Sequence, residues 1–173
     1  MRTPLLVVLG MLIAGAANAQ HHHAPYAGQH GRDIKALSAE EVKQYMAGAG
    51  MGYARAAELN HFPGPMHALD LADPLNLSPE QRVAAEKLMA AHKAEARSIG
   101  AKLVEAERAL DALFRSGKVT PDALELAVNR SAALQGAYRL SHLETHRRMR
   151  ELMTAEQVRR YDELRGYAER STK

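Results

Sequence analysis

A long stretch that is almost free of helix breakers constrains this fold most. After Pro79 no proline occurs until Pro121, and Gly100 is the only glycine before Gly117. Within this stretch apolar positions recur mostly at three- and four-residue steps, which is typical of one buried helix face. The stripe consists of Val83, Leu88, His92, Ala96, Ile99, Leu103, Ala106, Leu110 and Leu113. The pattern predicts one helix of about 37 residues, roughly 55 Å long.

A second long helix follows after a short break. Gly117 suits the end of the first helix, and Thr120 followed by Pro121 suits the start of the next. Its stripe consists of Leu124, Val128, Ser131, Leu134, Tyr138, His142, Thr145, Met149 and Leu152. Two long helices joined by a short loop predict an antiparallel hairpin.

Three helix starts are predicted by capping boxes, in which a Ser or Thr precedes a Glu or Gln by three residues. The boxes pair Ser38 with Glu41, Ser78 with Gln81, and Thr154 with Gln157. They predict a helix from Ala39 towards Asn60, irregular at its glycines, and a last helix at about 155–170. A helical turn over residues 66–72 is expected between two proline breaks. The predicted fold is all-α, with shorter helices wrapped around the hairpin.

The N-terminus resembles a secretory signal peptide over residues 1–19. Arg2 supplies the positive charge, residues 5–17 are apolar, and Ala17 and Ala19 suit a cleavage site. The apolar run is too short to span a bilayer comfortably, since a membrane helix needs about 20 residues. We therefore expect a soluble periplasmic protein, exported and stabilised without disulfides, because the chain has no cysteine.

Residues 20–36 are polar, contain glycine and lack a helical period, so we expect a disordered leader before a helical domain at 37–173. The leader contains His21, His22 and His23. If cleavage follows Ala19, His22 becomes the third residue, where the α-amine, backbone amides and an imidazole chelate Cu(II) or Ni(II). The alternative is an exposed polar leader without a function in metal binding.

The hairpin predicts a second histidine cluster. Paired residue numbers sum to about 237 in an antiparallel hairpin folded at 117–120, which places His92 opposite residue 145. The neighbouring metal-ligand candidates are Met89, Glu95, His142, His146 and Met149. Imidazole with thioether suits copper, and imidazole with carboxylate suits zinc or nickel. The alternative is hydrogen-bonded core histidines with methionines that only pack.

Another, weaker cluster surrounds the Pro-Gly-Pro turn. It consists of His61, Met66 and His67. The sequence alone gives no reason to join it to the hairpin histidines, and we treat it as a separate metal-ligand candidate.

The capping boxes also carry a family resemblance. Leu77-Ser78-Pro79-Glu80-Gln81 and Met153-Thr154-Ala155-Glu156-Gln157 follow a Leu-Thr-x-x-Gln (LTxxQ) pattern on either side of the hairpin. With residues 50–60 and 63–65 they resemble the Spy/CpxP family, which includes periplasmic refolding chaperones and heavy-metal sensors. The resemblance covers residues 33–167. It implies a bent hairpin that dimerises into a cradle.

Several functions are disfavoured by the sequence. Mixed charges with a net charge of only +3 argue against nucleic acid as a partner. The chain lacks cysteine, a glycine-rich phosphate loop and a recognisable Ser-His-Asp arrangement, so we expect no enzyme and no required cofactor.

Two functions remain. The resemblance favours an ATP-independent chaperone that acts in envelope or metal stress, is a homodimer and binds unfolded envelope proteins. The alternative is a copper, zinc or nickel sensor or buffer, for which we expect a membrane signalling partner.

Overall fold

The computed structural model describes residues 25–168, so the predicted signal peptide and His21, His22 and His23 lie outside the described residues. Every regular element in 25–168 is helical. The α-helices are α1 (Ala39–Ala47), α2 (Arg55–Glu58), α3 (Pro65–Asp70), α4 (Pro79–Arg115), α5 (Pro121–Leu152) and α6 (Ala155–Arg165). None of these helices is both long and apolar enough to cross a membrane.

The chain divides into a short unit ending at His30 and a helical unit from Gly31. The sequence predicted a disordered leader up to residue 36. In the structure, the start of the helical unit instead contacts the hairpin. Ile34 is 1% exposed, Asp33 pairs with Arg108, and the Lys35 amide donates to Asp111 at 3.1 Å. Residues 33–35 of the predicted leader therefore contact the hairpin through one buried side chain, an ion pair and a hydrogen bond.

The predicted hairpin is confirmed by α4 and α5, of 37 and 32 residues. All three capping boxes form, with both hydrogen bonds present in each. The helix α6 ends at Arg165, short of the predicted 170, because Gly166 adopts a left-handed conformation with φ 73°.

The predicted continuation of α1 towards Asn60 is wrong. The helix stops at Ala47 because Gly48 adopts φ 68° and ψ 37°, and its N–H bonds the carbonyl groups of Gln44 and Tyr45. The chain then turns through the glycines to the single turn of α2. This early stop brings the segment from Ala49 to α3 back across the hairpin.

Gly100 explains how α1 approaches α4 so closely. A Cβ atom at this position would lie 2.1 Å from the Tyr45 carbonyl oxygen and 3.2 Å from Cε2 of Tyr138. Ala96, one turn earlier, is fully buried. The glycine in the middle of a long helix therefore makes room for the carboxyl end of α1.

Two apolar clusters form the core. The junction cluster surrounds α3, α6 and the adjacent ends of the hairpin, and includes Leu77, Ala85, Met149 and Tyr161. The tyrosine cluster surrounds α1 and the middle of the hairpin; it consists of Ile34, Tyr45, Ala96, Leu103, Val104 and Tyr138. Two predicted stripe positions are exposed rather than buried or half-buried: Val83 and Val128 are each nearly half exposed.

The two LTxxQ-like boxes are neighbours in space. Gln81 donates from Nε2 to the Leu152 carbonyl oxygen at 2.7 Å, and the side-chain amides of Gln81 and Gln157 contact each other at 2.9 Å. Gln157 also donates to the Asn76 carbonyl oxygen at 3.2 Å. The near-repeat in the sequence therefore begins two helices and also joins their starting points.

Candidate functional site

A cavity of about 500 Å³ lies between the hairpin and the segment that runs from Ala47 to His67. Histidine and methionine side chains from several elements line it. They are Met51, Met66, His67, Met89, His92, His142 and His146. The cavity thus joins two clusters that the sequence analysis kept apart.

His92 and His142 form the centre of this lining. Nε2 of His92 lies 3.0 Å from Nδ1 of His142, and the ring centroids are 4.5 Å apart at an interplanar angle of 74°. The contact joins α4 to α5 three residues from the predicted register, which is less than one helical turn. The pair lies along the hairpin between the junction cluster and the tyrosine cluster.

The remaining nitrogens of the pair have no hydrogen-bond partner among the described residues. Nδ1 of His92 and Nε2 of His142 are both buried. A neutral imidazole has one N–H and one lone pair, and the shared bond uses one of each. Whichever ring donates, one of these two nitrogens keeps an unused lone pair and the other an unused N–H. The pair therefore always offers one buried electron-pair donor.

Aromatic rings shield the His142 side chain from water. Tyr53 stacks on it at a centroid distance of 6.3 Å, and Tyr138 lies at 4.8 Å. Burial, together with nearby His92 and His146, lowers the pKa of His142 to about 4. Burial also lowers the pKa of His92, although the charge of Glu95 partly opposes this. Both rings are neutral at pH 7, which is the form that binds metals.

His146 is held in a defined tautomer. Its Nδ1 lies 2.8 Å from the Phe62 carbonyl oxygen, which can only accept, so Nδ1 carries the hydrogen. In the neutral ring the lone pair is then on Nε2. A Cβ atom at Gly64 would lie 3.0 Å from that nitrogen and 2.9 Å from Cε1. The absence of a side chain at residue 64 leaves Nε2 uncovered on that side.

One carboxylate lies at the cavity wall. Oε1 of Glu58 accepts from the Tyr161 hydroxyl at 2.5 Å and lies 3.7 Å from Nε of Arg165. Its Oε2 is 3.4 Å from Nδ1 of His146. Burial, followed by the bond to Glu58, raises the pKa of Tyr161. This network connects α2 to α5 and α6 behind the histidines.

The other predicted ligands are placed as follows. Met89 lines the cavity, whereas Glu95 is exposed and does not. Met149 is fully buried in the junction cluster, because it lies on the part of α5 that faces α3 and α6. His61 leaves its predicted partners Met66 and His67 and pairs with Asp162, Nδ1 to Oδ2, at 2.7 Å.

Five contributors to the site were not predicted as such. They are Met51, Tyr53, Glu58, Gly64 and Arg165. Their positions depend on how the segment after α1 folds back, which no local pattern encodes. The only available signal was the unusual density of glycine and proline between residues 48 and 65.

The donors are not yet gathered around one point. Within residues 25–168, no three His, Asp or Glu side chains are close enough to hold a metal ion together. The donor set itself fits a metal, because it combines neutral imidazoles, an unused buried lone pair and thioethers.

Comparison with known proteins gives one match. No curated protein and no solved structure matches the chain significantly. A family model described as heavy-metal resistance matches residues 45–160, which is more than half of the chain and includes every residue that lines the cavity except Arg165. This confirms the resemblance to Spy/CpxP-like proteins. The chain therefore belongs to the heavy-metal resistance family.

Proposed function

We propose that this protein binds a heavy-metal ion in the cavity, as a sensor or buffer in metal resistance of the cell envelope. The observation that supports this most is the buried His92 and His142 pair, which keeps one unused lone pair in either tautomer. The family match supports the same function. This reverses the order expected from the sequence, which favoured a chaperone.

The ion would take the free ring nitrogen of the pair, Nε2 of His146 and the sulfur of Met89. These groups line one cavity but do not converge, so binding would favour a conformation in which the cavity is narrower. The carbonyl group of Phe62 would keep the His146 ring oriented, as hydrogen-bond acceptors beside metal-bound histidines commonly do. Such a change of conformation is what a sensor transmits to a signalling partner in the membrane.

The periplasm is the proposed compartment, and it follows from the predicted signal peptide at residues 1–19. Copper, zinc and nickel are the metals that the imidazoles admit. The leader histidines His21, His22 and His23 would form a separate site for Cu(II) or Ni(II).

Metal binding by the whole chain tests the proposal. In a reference chain carrying His21→Ala, His22→Ala and His23→Ala, equilibrium dialysis should find about one bound ion per chain. We expect His142→Ala to lower the affinity at least about tenfold. His30→Ala is the matched control, since His30 is exposed and outside the cavity. Equal affinity of the His142→Ala and reference chains would refute the proposed site.

Exposed apolar side chains support chaperone activity as a second candidate. Leu126 is 73% exposed, Leu140 66% and Phe114 57%, all on the hairpin. Such a surface would bind unfolded envelope proteins or a second copy of the chain. Metal-free protein in chelator should then suppress aggregation of a denatured client, measured by light scattering. Sedimentation at several concentrations tests the homodimer. No suppression at equal molar amounts would leave metal binding as the function.

A further inference from the structure

Resting on the proposed function, we propose that the cavity selects a soft monovalent ion, copper(I) or silver(I), over divalent zinc or nickel. Two independent features of the lining lead to this choice: the sulfur atoms and the fixed charges.

Three thioethers line the cavity from three different parts of the chain. Met51 lies in the loop after α1, Met66 in α3 and Met89 in α4. Met51 also packs against the tyrosine cluster, whereas Met149 is fully buried in the junction cluster and does not line the cavity. Met66 is 49% exposed, so it contributes little to core packing. Thioether sulfur is a soft, uncharged ligand that favours copper(I) and is a poor ligand for zinc or nickel.

The fixed charges of the lining are mainly positive. Arg55, Lys93 and Arg165 all line the cavity. Imidazole and thioether ligands carry no charge, so they do not compensate the positive charge of an ion that enters the cavity. A divalent ion would add two uncompensated charges near Arg55 and Lys93, whereas a monovalent ion adds one.

Glu58 is the one group in the lining that favours a divalent ion. Its Oε2 is buried and has no hydrogen-bond partner among the described residues. However, the same carboxylate accepts from Tyr161 at 2.5 Å and lies 3.7 Å from Arg165. Its negative charge therefore already offsets the Arg165 guanidinium. This leaves the imidazoles and thioethers as the free ligands.

Competition titrations test the selectivity. The chain carrying His21→Ala, His22→Ala and His23→Ala is titrated anaerobically with copper(I) against bicinchoninate, and separately with zinc(II) against a chromogenic zinc chelator. We expect Met89→Leu and Met66→Leu each to weaken copper(I) binding about tenfold or more, with zinc binding unchanged. Met46→Leu is the matched control, because Met46 is 51% exposed on α1 and does not line the cavity.

X-ray absorption at the copper edge gives a second measurement that does not depend on affinity. Bound copper(I) should show sulfur scattering, which should weaken in the chain with Met66→Leu and Met89→Leu. Leucine is close to methionine in volume, so these chains should fold, and circular dichroism checks this.

The outcomes separate the two proposals. If no ion binds, both the proposed function and the selectivity fail. A different result would overturn only the selectivity. In that case zinc binds, Glu58→Gln weakens zinc binding, and the methionine substitutions leave copper(I) binding unchanged.

Discussion

Replacing Gly100 by alanine should destabilise the protein, although alanine is the better helix former. At an open position inside a helix this change gains about 1 kcal/mol. At residue 100 the new Cβ atom would lie 2.1 Å from the Tyr45 carbonyl oxygen and 2.8 Å from its carbonyl carbon. The neighbour is backbone, which cannot rotate away. The carboxyl end of α1 must therefore move off α4 by about 1 Å to restore an ordinary contact.

Overpacking of this kind costs about 1–3 kcal/mol, and a backbone clash belongs at the upper end. After the gain in helix propensity is subtracted, we expect Gly100→Ala to lower the free energy of unfolding by about 2 kcal/mol. This corresponds to a fall in Tm of roughly 4–8 °C for a chain of this size. The displacement should also loosen the tyrosine cluster, since Tyr45 packs edge-on against Tyr138 at 5.2 Å.

Gly136→Ala is the matched control on the other helix of the hairpin. No atom lies within 4 Å of a Cβ built at Gly136. Only the propensity remains there, so we expect a gain in stability of about 1 kcal/mol. Urea unfolding followed by circular dichroism at 222 nm measures both changes. If Gly100→Ala stabilised the protein as much as Gly136→Ala, the close approach of α1 to α4 would be wrong.

Three further predictions concern the site and the junction. Because His142 has a pKa of about 4 when folded and 6.5 when unfolded, acid favours the unfolded chain. Metal-free protein should lose about 2 kcal/mol of stability between pH 7 and pH 5 in urea titrations, and His142→Phe should flatten this dependence. Gly64→Ala should lower metal affinity about tenfold, because its Cβ atom would lie 2.9 Å from Cε1 of His146 and displace that ring; φ −85° and ψ 144° suit alanine, so any fall in Tm comes from this contact, and unchanged affinity would contradict the prediction. Gln157→Ala should cost about 1–2 kcal/mol, since it removes half of a capping box and the contact with Gln81; a change in Tm below 1 °C would count against that contact.

Local patterns were sufficient to predict the hairpin. Its two helices have continuous stripes, and Ser78 and Thr120 cap them, so neighbouring residues alone determine where they start. The same reasoning failed at Gly48, because a glycine within a helical pattern either continues the helix or ends it. The difference depends on whether the chain can pack in the new direction, here against Ala96 and Arg97.

Half of the candidate site was predictable for the same reason. His92, His142, His146 and Met89 follow from helical spacing and the hairpin register. The contribution of Met66 and His67 was not predictable, because it depends on the path of the segment after α1.

Side-chain orientation explains why two other predicted ligands do not line the cavity. Met149 has the right spacing for the metal layer, but it lies where α3 and α6 cover the hairpin and is fully buried there. Glu95 lies one turn from His92 and is exposed. The hairpin register determines which residues of the two helices lie at the same height. Which of their side chains face a cavity depends on the elements packed beside them.

The position of the imidazole pair also affects how the protein opens. His92 and His142 lie between the tyrosine cluster and the junction cluster, which are separate in the core. Proteins open locally in cooperative units. We expect the half that contains α1 to open while the half joined by Gln81 and Gln157 stays closed. Amide hydrogen exchange would then be faster in α1 than in α6, and an ion held at the pair would bring the two rates together.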